Sequence, residues 1–134
     1  MLSFLQRVVS RVNPKFRPDW CINPSTGFGL EYDFELPDLM IILELDGRQH
    51  FQQVRNWICP EEQIERDVFK MRRANEKGYS VIRLLQEEVW DGREAWLEAN
   101  LRECLVRYEH VTNVFISTDE TMYDRHMEML EMTM

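Results

Sequence analysis

Three acidic residues lie close together in two neighbouring apolar segments: Asp33 in residues 30–36, and Glu44 and Asp46 in residues 39–46. Carboxylate oxygens are the hard ligands that Mg²⁺ and Mn²⁺ prefer, and a cation held with open positions can assist phosphodiester hydrolysis. Clustered carboxylates repel one another and lose solvation unless a positive partner offsets the cost. The pattern therefore favours a metal site. The alternative is three solvent-facing carboxylates on an exposed strand edge.

The two segments have the composition of β-strands and are separated by Pro37-Asp38, which indicates a hairpin. A loop centred between Asp38 and Leu39 pairs Asp33 with Glu44 on one side of the ribbon. Side chains alternate along a strand, so Asp46 shares the side of Glu44. The spacing predicts that the three carboxylates converge.

Gly47 and His50 follow the second strand directly. A glycine there permits a tight turn and the close approach of a ligand. His50 could orient a water molecule, take its proton or protonate a leaving oxygen. A structural hydrogen-bonding histidine is the alternative.

The remaining elements follow from hydrophobic periodicity, caps and turn residues. A helix is predicted from about Glu61 to Lys77, opened by Pro60 and stopped at Gly78, with an apolar stripe of Ile64, Val68 and Met71. Beside that stripe, at the boundary between buried and exposed positions, lie Asp67, Lys70 and Ala74. The other predicted elements are a helix at 2–12, an irregular connection at 15–29, a loop at 51–60, strands at 79–85 and 111–116, a helix at 93–108, and a Met-rich helix after a capping box at 117–120.

The length of 134 residues predicts one domain, with a core at about 15–108 and an acidic, Met-rich extension at about 109–134. The net charge is -8, and residues 84–134 hold 12 acidic and 4 basic side chains. No apolar run is long enough to span a membrane and no signal peptide is recognisable, so a soluble, intracellular protein is expected. Cys21, Cys59 and Cys104 are expected to be reduced thiols; a zinc site completed by His110 or His126 is the alternative.

Several motifs occur together in a fixed order. They are Tyr32-Asp33-Phe34, Leu36-Pro37, Ile42-Leu43-Glu44-Leu45-Asp46-Gly47 with His50-Phe51, Arg66-Asp67-x-x-Lys70, and Gly78-Tyr79-Ser80-Val81-Ile82-Arg83. This pattern, over about residues 20–89, resembles the PD-(D/E)XK nuclease superfamily. More narrowly, it is similar to the branch near very-short-patch-repair endonucleases and to small endonuclease-like proteins of phages and large DNA viruses. A viral protein of this kind would be expected in the cytoplasm or nucleus of the host cell.

The resemblance implies an α/β (α+β), restriction-endonuclease-like fold with a mixed sheet flanked by helices. It implies Asp33 and Glu44 as metal ligands, with the Leu45 carbonyl as a third. It also implies a lysine two residues after Glu44, where this chain has Asp46. In the similar viral and phage proteins a lysine on the following helix takes that place, and Lys70 is the matching residue. The alternative is a surface lysine paired with Asp67, which is otherwise a supporting residue of the site. The acidic residue that the superfamily often has in the first helix is missing; Gln6 stands in a comparable place.

The predicted activity is metal-dependent endonucleolytic hydrolysis of DNA, with Mg²⁺ or Mn²⁺ as cofactor. Candidate contacts to the nucleic acid are Arg48, Arg55, Trp57, Arg72, Arg73 and Arg83. Two other functions remain open: an inactive module of the same fold that binds nucleic acid or protein, and an RNA-cleaving enzyme with the same centre. The acidic C-terminal region could also dock a protein partner or form a homodimer.

Overall fold

The computed structural model describes residues 1–47, 60–85, 94–117 and 121–132. It shows an α+β fold in which one mixed sheet is flanked by helices, as predicted. The strands are β1 (Asn13–Phe16), β2 (Tyr32–Leu36), β3 (Ile41–Asp46), β4 (Ser80–Leu85) and β5 (Asn113–Ile116). The helices are α1 (Leu2–Val8), α2 (Pro60–Glu76), α3 (Glu94–Asn100) and α4 (Asp124–Glu131), with a short 3₁₀ turn at Arg102–Cys104.

The sheet has the order β1-β2-β3-β4-β5. The first three strands pair antiparallel, while β4 runs parallel to β3 and β5 runs parallel to β4. The hairpin register is confirmed, because Phe34 pairs with Leu43 and Leu36 with Ile41. Helix α2 makes the crossover between the parallel strands β3 and β4, so it lies over the sheet beside the carboxyl end of β3.

The two faces of the sheet have separate cores. Helices α1 and α3 cover one face, with Phe4 and Leu97 packed against Leu43 and Leu84. Helix α2 covers the other face, where Met71 and Ala74 pack against buried residues that include Ile42. Helix α4 then packs on α2 through Met129, which contacts Ile64 and Val68. Alternation along β3 and β4 directs Glu44, Asp46 and Arg83 towards α2, because their neighbours in sequence face the other core.

Helix α2 agrees closely with its prediction. It begins at Pro60 and ends before Gly78, which has the left-handed φ of 91° expected of a helix stop. Its predicted stripe of Ile64, Val68 and Met71 is buried. The boundary position predicted for Asp67, Lys70 and Ala74 is wrong, because all three are buried as well.

Three other predictions are wrong in extent. Helix α1 ends at Val8, and part of the expected loop is the edge strand β1. Helix α3 ends at Asn100, whose side chain donates to the carbonyl oxygen of Trp96, and the 3₁₀ turn replaces its predicted continuation to 108. Helix α4 is capped at Tyr123 instead of at residues 117–120, of which 118–120 lie outside the described residues.

The packed core extends beyond the predicted limits of 15–108 at both ends. Phe4 and Leu5 of α1 are buried against the sheet, and Tyr123, His126 and Met129 are buried beneath or within α4. The C-terminal residues therefore contribute to the same fold as the hairpin. Across the described residues, no helix combines the length and apolarity needed to cross a bilayer.

Candidate active site

The site begins where β2 and β3 separate. The ladder between them ends at Phe34 and Leu43, and beyond it side chains replace backbone partners. The Glu44 carboxylate accepts a hydrogen bond from the Asp33 N–H at 3.2 Å, and the Asp33 carboxylate accepts one from the Leu45 N–H at 2.7 Å. These reciprocal bonds hold two carboxylates at the open end of the hairpin.

Lys70 reaches this pair from α2. Its Nζ lies 3.2 and 3.3 Å from the two oxygens of Glu44 and donates to the Glu31 carbonyl oxygen at 2.6 Å. The Tyr32 ring lies beside the same ammonium, 4.9 Å from its centroid, and the Tyr32 hydroxyl donates to the Lys70 carbonyl oxygen at 2.6 Å. The surface-lysine alternative is wrong, because the side chain is buried and its carboxylate partner is Glu44 instead of Asp67.

Asp46 belongs to a neighbouring, fully buried network. One of its oxygens accepts from Arg83 Nη1 at 2.6 Å, and the other accepts from the Tyr123 hydroxyl at 2.8 Å. Arg83 stands on β4 directly beside Glu44 in the parallel register, and both side chains of the Arg83–Asp46 pair are 0% exposed. Asp46 therefore pairs with an internal cation instead of joining Asp33 and Glu44 in one cluster, which corrects the expected convergence of three carboxylates.

Asp67 connects that network to the C-terminal helix. One oxygen of Asp67 lies 3.6 Å from Arg83 Nη1, and the other lies 3.0 Å from His126 Nε2. The Asp67 carbonyl oxygen accepts from Arg83 Nη2 at 3.3 Å. Arg83 thus joins Asp46 and Asp67 beneath the site.

Burial dominates the electrostatics of the two hairpin carboxylates. Loss of solvation raises the pKa of Asp33, and the nearby charge of Glu44 raises it further. Loss of solvation also raises the pKa of Glu44, although Lys70 and Arg83 oppose the shift. For Arg83, burial favours the neutral form, but Asp46, Asp67 and Glu44 outweigh it and raise the pKa. Burial therefore makes the ionised forms of both carboxyl groups more costly than they are in water.

The predicted nucleic-acid contacts divide into three groups. Arg48, Arg55 and Trp57, together with His50, lie outside the described residues. Arg72 donates to the Met129 carbonyl oxygen, while Arg73 donates to the Trp20 carbonyl oxygen and pairs with Glu76. Arg83 is fully buried, so its interpretation as a phosphate contact is wrong.

The contacts of Tyr123 with Asp46 and of His126 with Asp67 were not predicted, because partners about 60–80 positions away leave no local signal in the sequence. Arg83 did carry a signal that was misinterpreted. A single charged residue inside the apolar strand Ser80–Leu85 indicates a buried ion pair, since an unpaired buried charge is very costly.

The structure leaves the metal-ligand set small. Among residues 1–47, 60–85, 94–117 and 121–132, no three His, Cys, Asp or Glu side chains come together in a group suited to a metal ion. Cys21 and Cys104 are free cysteines in the structure, and Cys59 lies outside the described residues. Comparison with protein-family models, curated proteins and solved structures gives no match.

Proposed function

We propose that this protein is a metal-dependent nuclease that hydrolyses phosphodiester bonds of DNA at Asp33, Glu44 and Lys70. The observation that carries the proposal is the approach of Lys70 Nζ to both oxygens of Glu44, beside Asp33, at the open end of the β2–β3 hairpin. The resemblance to PD-(D/E)XK nucleases implied this use of a lysine from the following helix.

The donors at this position fit a hard cation such as Mg²⁺ or Mn²⁺. Asp33 and Glu44 supply carboxylate oxygens, which keep lone pairs for a ligand while they accept hydrogen bonds. The Leu45 N–H points to Asp33, and the N–H and C=O of one strand residue point to the same side, so the Leu45 carbonyl faces the same gap. Two carboxylates with one ammonium also leave a net negative charge when both are ionised.

A bound cation would polarise the phosphate and lower the pKa of a water molecule. The protein's own part is to hold the phosphate and the water in place. The Lys70 ammonium can stabilise the negative charge that develops on the phosphate, because it is fixed by Glu31 and Glu44 before substrate binds. Arg83 and Tyr123 hold Asp46 behind Glu44 and so maintain the end of β3.

One observation favours a second candidate function, a nuclease-fold module without activity that binds nucleic acid or protein. Asp46 stands where the resemblance places a lysine, and it is committed to Arg83 and Tyr123. Such a module would have no ion-dependent hydrolysis. An RNA-cleaving enzyme would have the same centre, and substrates of equal sequence distinguish it from a DNA-cleaving one.

The test is cleavage of labelled single-stranded and duplex DNA and RNA of one sequence, with Mg²⁺, Mn²⁺ or a chelator. We expect ion-dependent cleavage of DNA that falls at least about a hundredfold in Asp33→Asn, Glu44→Gln and Lys70→Met, since each removes a group that acts on the phosphate or the ion. Glu35→Gln is the matched control, because Glu35 is a buried carboxylate of β2 that bonds Asn13 and Tyr79, outside the site. Cleavage that persists undiminished in Glu44→Gln, purified in the same way, would refute the proposal.

A further inference from the structure

A cavity of about 420 Å³ lies between the turn at residues 23–26 and α2. This volume falls in the range of small-molecule sites, about 300–1,000 Å³. The turn contributes the polar residues Ser25 and Thr26 to its wall. Helix α2 contributes Glu62, Glu65, Arg66 and the aromatic ring of Phe69.

Two residues that line the cavity are next in the chain to residues that hold the proposed site together. Phe69 immediately precedes Lys70, and Arg66 lies one helical turn before it, about 6 Å along the axis. On the other wall, Leu30 precedes Glu31, whose carbonyl oxygen accepts from Lys70 Nζ at 2.6 Å. A chain with one phosphate at Lys70 could therefore place an adjacent group in the cavity.

The wall chemistry fits a nucleobase better than a phosphate. Glu62 and Glu65 are exposed carboxylates, which repel phosphate but accept hydrogen bonds from the amino and imino groups of bases. Arg66 offers donors to base carbonyl and ring-nitrogen acceptors, and the half-buried Phe69 ring offers a face for stacking. The imino groups, and the base face that would stack on Phe69, are accessible only when the base is unpaired and removed from its stack.

A second aromatic ring, Phe28, lies just after this turn and is 74% exposed. The turn is well hydrogen-bonded: the Asn23 N–H donates to the Phe28 carbonyl oxygen at 2.9 Å, and the Phe28 N–H donates to Thr26 Oγ1 at 3.2 Å. Gly27 supplies the positive φ of 76° that the turn requires. Packing against the described residues does not account for Phe28, whereas an exposed ring on a hydrogen-bonded turn is a suitable surface for stacking a base.

We propose that the cavity and Phe28 bind two unpaired bases of the substrate, which makes single-stranded or locally unpaired nucleic acid the substrate class. This inference rests on the proposed function. One base enters the cavity against Phe69, a neighbouring base stacks on Phe28, and the phosphate lies at Lys70.

The test measures binding apart from cleavage. A labelled single-stranded oligonucleotide is titrated with protein in the presence of a chelator, and binding is followed by fluorescence anisotropy. The proteins compared are the wild type, Phe28→Ala, Glu65→Gln and the control Val106→Ala. Val106 is also an exposed apolar side chain, 47% exposed, but it lies outside the turn and the cavity. Phe28→Ala is expected to weaken binding about tenfold, since one base stack is lost. Val106→Ala is expected to leave it unchanged, and a duplex of the same sequence is expected to bind less tightly than the single strand.

A second arm uses an oligonucleotide whose bases have been removed at two adjacent positions. If bases are what the site recognises, the abasic strand binds less tightly than the intact one, and Glu65→Gln reduces the difference. Equal affinity of wild type and Phe28→Ala, equal affinity for single strand and duplex, or no binding of either would each overturn the proposal. Base-dependent binding without any cleavage would support the base site and refute the proposed function. Ion-dependent cleavage whose rate and single-strand affinity are unchanged in Phe28→Ala would support the proposed function and refute the base site.

Discussion

At the scale of single residues, Lys70 and Glu44 decide whether a hydrolytic site is plausible. This chain has Asp46 in place of the lysine that the resemblance implies two residues after Glu44, so the site lacks a cation unless another element supplies one. In the structure α2 supplies it, and the ammonium is held by two oxygens of Glu44 and by the Glu31 carbonyl oxygen. Such a buried pair is costly to break, because one partner alone would remain as an uncompensated charge.

Asp33 provides a pH test of this arrangement. Burial and the Glu44 charge raise its pKa above the usual value of 3.8, so the folded state binds the proton more tightly than the unfolded chain does. The ionised carboxyl therefore opposes folding, and this cost appears as pH rises above 3.8 and through the raised pKa. We expect the free energy of unfolding of the wild type, relative to Asp33→Asn, to fall as pH rises from about 4 to about 7.

Urea unfolding of both proteins at several pH values measures this difference. Asp38→Asn gives a control of opposite sign, because a hydrogen bond from Arg11 lowers the pKa of Asp38. Relative to that variant, the wild type should gain stability as pH rises from the lowered pKa of Asp38 to about 4, and the difference should change little above that pH. A difference between wild type and Asp33→Asn that does not change with pH would contradict the account of Asp33.

At the scale of elements, α2 and α4 hold the end of β3 from two directions. Helix α2 contributes Lys70 to Glu44 and Asp67 to Arg83, and α4 contributes His126 to Asp67. Tyr123, at the start of α4, reaches Asp46 on β3. The C-terminal helix is therefore part of the support of the site, although its acidic, Met-rich sequence suggested a partner surface.

Tyr123→Phe tests the contribution of α4. The substitution keeps the ring and removes one hydrogen bond to the buried Asp46 carboxylate, and bonds to charged groups contribute about 1.5–3 kcal/mol. We expect the free energy of unfolding to fall by about 2 kcal/mol. Tyr108→Phe is the control, because its hydroxyl bonds the neutral Cys104 carbonyl oxygen, a bond that contributes about 1 kcal/mol.

Denaturant titration of the three proteins at neutral pH gives both values. Equal losses in the two variants would show that the bond to Asp46 has no special contribution. An accompanying fall in cleavage for Tyr123→Phe would extend the effect from stability to the geometry of Glu44.

At the scale of the whole molecule, the sequence predicted the features that depend on residues close together in the chain. It did not predict contacts between residues far apart in the chain. The register of the β2–β3 hairpin followed from Pro37-Asp38 and the strand pattern, and the limits of α2 followed from Pro60 and Gly78. The residue pattern did not predict strand β1, because it contains Pro14, which is tolerated mainly in edge strands. Its backbone is also irregular, since Lys15 has a positive φ of 52°.

The candidate site also combines contacts that the sequence predicted with contacts that it did not. The proximity of Asp33 and Glu44 is a property of the hairpin, so the sequence predicted it. The pairing of Asp46 with Arg83 depends on how α2 brings β4 beside β3, and the bond from Tyr123 depends on the packing of α4. These contacts arise from tertiary packing, which periodicity does not encode.

The most direct test of the central claim is a calorimetric titration of the protein with Mn²⁺. We predict a binding site in the wild type and in Glu35→Gln, the buried carboxylate that lies outside the site, and loss of that binding in Asp33→Asn and Glu44→Gln. Either no binding by the wild type, or binding that survives both substitutions, would contradict a metal-dependent centre at the open end of the hairpin.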